Sequence, residues 1–218
     1  MDACRVILIG MMGSGKSTIG RLLSEATGWP YVDNDELVQQ AHGKTSRQLL
    51  AERGEAAMRA AESQALKRGL EVPEPTIIGA AAGTILDDTN RERLRSGGIV
   101  AYLRADAATL EARAASGEHR PWLDGADSSW IREAVERRER LYESVADITV
   151  DTDSSSAEAV ADELGRWLLD HASCRGRAGP DANLVGRVTG EPPSGRSSAT
   201  SGSQLTDEEP DPGRLVGP

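Results

Sequence analysis

The residues Gly10–Met11–Met12–Gly13–Ser14–Gly15–Lys16–Ser17 match the spacing G-x-x-x-x-G-K-[ST]. The chemistry of that spacing is a phosphate cradle. Glycines let the loop curl until successive backbone N–H groups point inward at phosphate oxygens. A helix starting there adds partial positive charge. Lys16 would reach the β- and γ-phosphates of a nucleotide, and the Ser17 hydroxyl would bind Mg2+. Gly13, Ser14, Gly15, Lys16, Ser17 and Thr18 are therefore the expected nucleotide-binding residues. The plainer alternative is an ordinary glycine-rich turn between a strand and a helix.

A second constellation is Asp33–Asn34–Asp35. At a strand's carboxyl end, Asp33 could face the metal and Asp35 an acceptor group. An Asp at that place would also cap the next helix, and spacing alone leaves both readings open. Arg59, Arg113, Arg120 and Arg138 are candidate anion ligands. Arg120 precedes Pro121 in a segment without periodicity, the setting of a lid that delivers a cation on closure. Arg138 lies in Glu136–Arg137–Arg138–Glu139–Arg140, a run that reads equally well as a solvated helix face with i,i+4 pairs.

These residues need a scaffold. Val6–Ile7–Leu8–Ile9 is a continuous, β-branched apolar run, the pattern of a strand buried on both faces of a parallel sheet. Ile19, Leu22, Leu23 and Ala26 then recur at helical spacing, with Gly28 as the stop. The strand–loop–helix context that the phosphate motif requires is thus present. Further strands are predicted at Tyr31–Val32, Thr76–Ile78, Ile99–Leu103 and Ile148–Val150. Helices are predicted from Glu36 to Gly43, over 46–70 with an interruption near Gly54, and over Asp88–Leu94, Ala107–Ala115, Ser128–Tyr142 and Ser155–Leu169. Five strands alternating with helices predict an α/β three-layer sandwich around a parallel sheet.

Composition separates the 218 residues into two parts. Residues 175–218 hold eight Gly and six Pro with repeated Ser and Thr, too little apolar surface to offset chain entropy, so this tail is expected to be disordered. The body, 1–174, carries all seven aromatics, which include no Phe, and a net charge of −9. That acidity argues against an extended nucleic-acid footprint. No window has the length of a membrane span. Cys4 and Cys174 fit no metal spacing, and with no signal segment they point to reduced thiols in the cytoplasm. No N-K-x-D segment for reading guanine is present, and the nearest Walker B candidate is Tyr31–Val32–Asp33.

Taken together, the pieces resemble the shikimate kinase family over residues 5 to about 170. They are the phosphate loop continuing into Ser17–Thr18–Ile19–Gly20, the D-x-D of Asp33 and Asp35, and G-E-x-x-x-R at Gly54–Arg59. Arg120–Pro121–Trp122–Leu123 is similar to the family's R-P-L-L, and R-x-x-L-Y recurs at Arg138–Tyr142. The resemblance implies a nucleoside-monophosphate-kinase fold with strand order 2-3-1-4-5. It implies ATP-dependent phosphorylation of shikimate to shikimate 3-phosphate, within aromatic amino-acid biosynthesis, by a monomer. It also implies roles: Asp33 holds Mg2+ through water, and Asp35 binds and deprotonates the acceptor hydroxyl. Arg59 and Arg138 grip the shikimate carboxylate, Arg113 lies near the adenine, and Arg120 belongs to a lid over about 116–126.

The pattern departs from the family at one place. Where the family has Gly-Gly-Gly-Ala at the substrate, this chain reads Ala80–Ala81–Ala82–Gly83, preceded by Gly79. Three methyl groups disfavour left-handed backbone, and the flanking glycines are expected to restore some of that freedom. The departure fits a retuned but active shikimate site, a different small acceptor or a weakened activity. Two further readings share the loop and the size: a kinase of another polyol or of gluconate type, and a nucleotide-binding regulatory protein without turnover.

Overall fold

The computed structural model describes residues 5–115 and 129–171. Five strands, β1 (Arg5–Ile9), β2 (Tyr31–Asp33), β3 (Thr76–Gly79), β4 (Ile99–Arg104) and β5 (Ile148–Asp151), form one sheet. Its order is β2-β3-β1-β4-β5, and every pairing is parallel. The helices are α1 (Lys16–Thr27), α2 (Asn34–His42), α3 (Ser46–Leu70), α4 (Asp88–Gly97), α5 (Ala107–Ala115), α6 (Ser129–Glu143) and α7 (Ala157–His171).

Alternation along β1 builds both cores. Val6 and Leu8 face one side, where Ile19 and Leu23 of α1 and Val160, Leu164 and Leu168 of α7 cover them. Ile7 and Ile9 face the other, against Leu66 of α3, Leu94 of α4 and Ile131 and Tyr142 of α6. These four β1 side chains are at most 2% exposed, so each contributes roughly 1.5–3 kcal/mol of burial. Without phenylalanine, the second core is filled by Tyr102 stacked on Tyr142, with ring centroids 4.9 Å apart. A smaller cluster of Val38, Leu49, Met58, Ala61 and Ala65 ties α2 to α3.

The predicted interruption of α3 is a real break. Gly54 has φ 80° and ψ 174°, a backbone that other residues rarely adopt, and it turns the rest of α3 toward the sheet. A 3-10 turn at Thr84–Leu86, too short to leave a periodicity, follows β3. The loops after β1, β2 and β3 open at the carboxyl edge of the sheet, where α/β folds bind ligands. The lid at 116–126, Arg120 and the tail at 175–218 lie outside the described residues.

Candidate active site

The phosphate loop runs from the buried end of β1 into α1. Gly10, Gly13 and Gly15 have φ of 145°, 90° and 95°, so three of its positions depend on glycine backbone. A Cβ at Gly10 would also lie 2.5 Å from the Leu103 carbonyl oxygen. Lys16 folds back over the loop, donating from Nζ to the carbonyls of Gly10 (2.9 Å) and Met11 (2.8 Å). α1 starts without a side-chain cap and without an acidic residue in its first turn. Its N-terminal partial charge is therefore left for an anion from outside.

Beside the loop, Asp33 caps a helix with one carboxylate oxygen and meets two hydroxyls with the other. Its Oδ1 accepts the Asp35 backbone N–H at 2.9 Å and so caps α2. Its Oδ2 accepts the hydroxyls of Ser17 and Tyr31, each at 2.9 Å. Burial, with the Asp33 charge adding to it, keeps the Tyr31 hydroxyl protonated well above the ordinary tyrosine range. Ser17 and Asp33 form an oxygen-only pair, and no group of three or more His, Cys, Asp or Glu side chains gathers among the described residues. A sparse oxygen set fits a small hard dication completed by water and phosphate oxygens, rather than an all-protein cage.

Asp35 stands at the start of α2, reachable by solvent across an open cleft of about 910 Å³ yet walled by protein on its other sides. That desolvation, and then the Asp33 charge, raises its carboxyl above the usual range; Lys16 and the Ser46 hydroxyl, 3.2 Å from Oδ1, oppose the rise. The carboxyl is thus held by α3 as well as by its own helix.

Two arginines face the same cleft. Arg59 is steered by Glu62 (Nη1–Oε2 2.8 Å) and Glu55 (Nη2–Oε1 3.1 Å), one turn to either side on α3. Burial works against its charge, but these two carboxylates outweigh it and raise the guanidinium. Burial also pushes the 6%-exposed Glu62 carboxyl up, against the pull of Arg59. Arg138 is half-buried rather than on a solvated face. It shares a stripe with Ile131, Ala134 and Tyr142, and its Nη1 meets Met11 Sδ at 3.8 Å. Its Nε is buried without a hydrogen-bond partner among the described residues. Burial lowers its pKa, and the Arg59 charge acts in the same direction. Two guanidinium groups thus line one cleft, Arg59 paired with Glu55 and Glu62 and Arg138 with no ion pair among the described residues.

The alanine run lines one wall of this cleft. It is pinned by Ala80 N–H to Leu8 O (3.0 Å), by the Thr84 hydroxyl to Ala81 O (2.7 Å) and by the Tyr142 hydroxyl to Ala82 O (2.8 Å). Gly79 and Gly83 do not supply the left-handed backbone expected of them: neither is among the positive-φ glycines, and Gly83 has φ −85°. They supply room instead. A Cβ at Gly83 would overlap Arg59 Nη1 and come within 2.5 Å of its Cζ. Gly83→Ala is therefore expected to displace Arg59 without straining the backbone. Arg59→Lys keeps the charge and loses the fork. Each change is expected to raise the acceptor KM about tenfold or more, since a charge-assisted hydrogen bond contributes about 1.5–3 kcal/mol. Initial-rate kinetics check this, and an unchanged KM in both variants would remove Arg59 from the site.

Arg113 sits apart from that pair. It donates to Gly13 O (3.3 Å), to the Thr152 hydroxyl (3.1 Å) and to the Thr152 carbonyl, behind the phosphate loop. A smaller recess of about 330 Å³ opens there, lined by Thr18, Ser155 and Ala157 among others. Sequence reasoning missed Glu62, Tyr31 and Tyr142 as site residues. A glutamate on the apolar stripe Met58–Glu62–Leu66 was the available signal for the first.

A phosphate loop and a guanidinium pair line one cleft, which has room for a phosphoryl donor beside an acceptor. Fold and cleft together put the chain among the P-loop kinases of small molecules. The comparisons narrow that class: the sequence model for shikimate kinase matches residues 12–169. The shikimate kinase of Moorella thermoacetica is 36% identical over 163 residues, 75% of this chain and 93% of that one. That of Xanthomonas oryzae pv. oryzae is 37% identical over 176 residues, 78% and 97% of the two chains. The structure of shikimate kinase from Acinetobacter baumannii in complex with shikimate superposes with a TM-score of 0.71 at 28% identity, covering 76% of this chain and 93% of that one. The chain belongs to the shikimate kinase family.

Proposed function

We propose that the chain transfers the γ-phosphoryl group of ATP to a hydroxyl of shikimate, giving shikimate 3-phosphate, with Mg2+ as the metal. The observation that supports this best is the guanidinium pair. Arg59 and Arg138 converge on one cleft, and one of them has a buried N–H without a partner among the described residues. A carboxylate between two forks satisfies both cations by paired, charge-assisted hydrogen bonds. An acceptor with a carboxylate on one side and hydroxyls on the other, as in shikimate, would span from this pair to Asp35.

The triphosphate would lie along residues 10–17, with the base toward the recess beside Arg113. Ser17 and, through water, Asp33 would hold Mg2+, which would supply charge neutralisation to the phosphates. Asp35 orients the acceptor hydroxyl and takes its proton. Lys16 exchanges two carbonyl partners for phosphate oxygens. Arg120, in the segment outside the described residues, would close over the phosphoryl group and exclude water. The protein would act as a cytoplasmic monomer on a small-molecule substrate, with no nucleic-acid or membrane partner.

The methyl groups of Ala80–Ala82 on the acceptor wall support a second reading, in which another cyclitol or polyol is the acceptor. Coupled measurement of ADP release with shikimate, gluconate and a cyclitol lacking a carboxylate separates the possibilities. Shikimate-dependent release at least a hundredfold above the others is expected. A preference for the carboxylate-free cyclitol would overturn the reading. Nucleotide binding with no acceptor-dependent release would mark a regulatory protein.

A further inference from the structure

Tyr31 is more closely housed than a strand residue needs to be. It shares a face of β2 with Asp33, two residues on, and its hydroxyl donates to Asp33 Oδ2 at 2.9 Å. Two glycines on other elements make way for it. At Gly20, inside α1, a Cβ would lie 2.6 Å from the ring's Cδ2 and 2.9 Å from its Cζ. At Gly79, the partner of Asp33 across the sheet, a Cβ would overlap the Tyr31 hydroxyl oxygen itself. Glycine weakens both a helix interior and a strand interior. Two glycines therefore stand at positions that cost local stability, and one of them makes room for the hydroxyl as such. A phenylalanine would fill the ring's space and would relieve the severest part of that second overlap, leaving ring carbons at 3.1 and 3.3 Å.

The hydroxyl acts on one carboxylate. Asp33 receives Ser17 on Oδ2, the Asp35 N–H on Oδ1 and Tyr31 on Oδ2, so three donors from three directions fix its plane. The Ser17–Asp33 pair is the candidate metal position. We propose that Tyr31 is a positioning residue for Asp33, and that its hydroxyl sets how tightly the nucleotide complex holds its divalent cation. This rests on the reading of the cleft as a metal-dependent nucleotide site. It adds a residue whose effect reaches the metal through Asp33 rather than by contact with substrate.

The test is Tyr31→Phe in the full chain, with Mn2+ as probe. Free Mn2+ is followed by electron paramagnetic resonance as it binds the enzyme–ADP complex, and ADP affinity is measured separately in excess chelator. Loss of a hydrogen bond to a charged group predicts Mn2+ binding weaker by about tenfold or more. Metal-free ADP affinity should stay within twofold. Gly79→Ala should weaken Mn2+ binding in the same way by pushing the hydroxyl aside. Adding Tyr31→Phe to it should cause little further loss, because the overlap then reduces to a ring-carbon contact near 3.1 Å. Unchanged or tighter Mn2+ binding in Tyr31→Phe overturns the proposal. So does a proportional loss of metal-free ADP affinity, the mark of a merely structural residue. If the wild-type ADP complex takes up no Mn2+, the reading of the site fails and the proposal with it.

Discussion

Lys16→Ala is expected to lower turnover by two orders of magnitude or more while leaving the fold intact. The Lys16 ammonium bridges the Gly10 and Met11 carbonyls, so the charge is stationed inside the curl of the loop. Transfer to the phosphates needs a small movement and little reordering, which is the condition under which a fixed charge lowers a barrier most. Removing one such donor typically costs about 10²–10³ in kcat. The lost hydrogen bonds involve loop carbonyls rather than the buried cores, so thermal stability should change little. Single-turnover rates at saturating ATP check the claim. Near-normal turnover would take Lys16 out of the chemistry.

Asp35→Asn is the second large effect, and it should separate activity from stability. A general base contributes about 10²–10⁴ in rate, so on the proposed role of Asp35 kcat should fall by that order. In the wild type, kcat/KM should decline as pH falls through the raised pKa of Asp35 and level off above it. The stability sign is opposite. A carboxyl whose pKa is higher folded than unfolded disfavours folding once ionised; that penalty is present above the folded pKa and fades as pH drops below the unfolded one. The amide that replaces the carboxylate carries no charge beside Asp33, so the variant should melt at higher temperature than wild type at neutral pH and lose the advantage in acid. Calorimetry at two pH values alongside the rate profile tests both halves. A variant that is slower and also less stable at neutral pH would show that Asp35 is held for structural reasons.

Much of the scaffold was legible because its signals are periodic. The run Val6–Ile9 is apolar at every position since each residue meets one of two cores, and the glycine stops fall where the chain turns. The all-parallel order follows from strands that alternate with covering helices. The site was legible where one residue type carries one role, as in the phosphate loop. It was less so where a residue does two things. Asp33 caps a helix and receives the Ser17 hydroxyl, so neither sequence reading excluded the other. Arg138 hid in a charge run, although Ile131–Ala134–Arg138–Tyr142 is a continuous stripe that brings a cation into apolar surroundings. The contacts of Gly79 with Tyr31 and of Gly83 with Arg59 join distant elements, and no local pattern announces them.

Those two contacts bear on how the sequence can drift. The alanine run between them is bounded by glycines whose tolerance depends on residues far away in the chain: position 79 on Tyr31, position 83 on Arg59. Substitutions at such pairs are coupled rather than additive. A Cβ at 79 is left with ring carbons at 3.1 Å and beyond after the tyrosine hydroxyl is gone, and one at 83 with Glu62 Oε2 at 2.9 Å after the guanidinium is gone. A lineage changing its acceptor would find positions 81 and 82 more open to trial than Ala80, which is 2% exposed and packed in the core. The two ends would open in a fixed historical order, after the partner on the neighbouring element had already been given up.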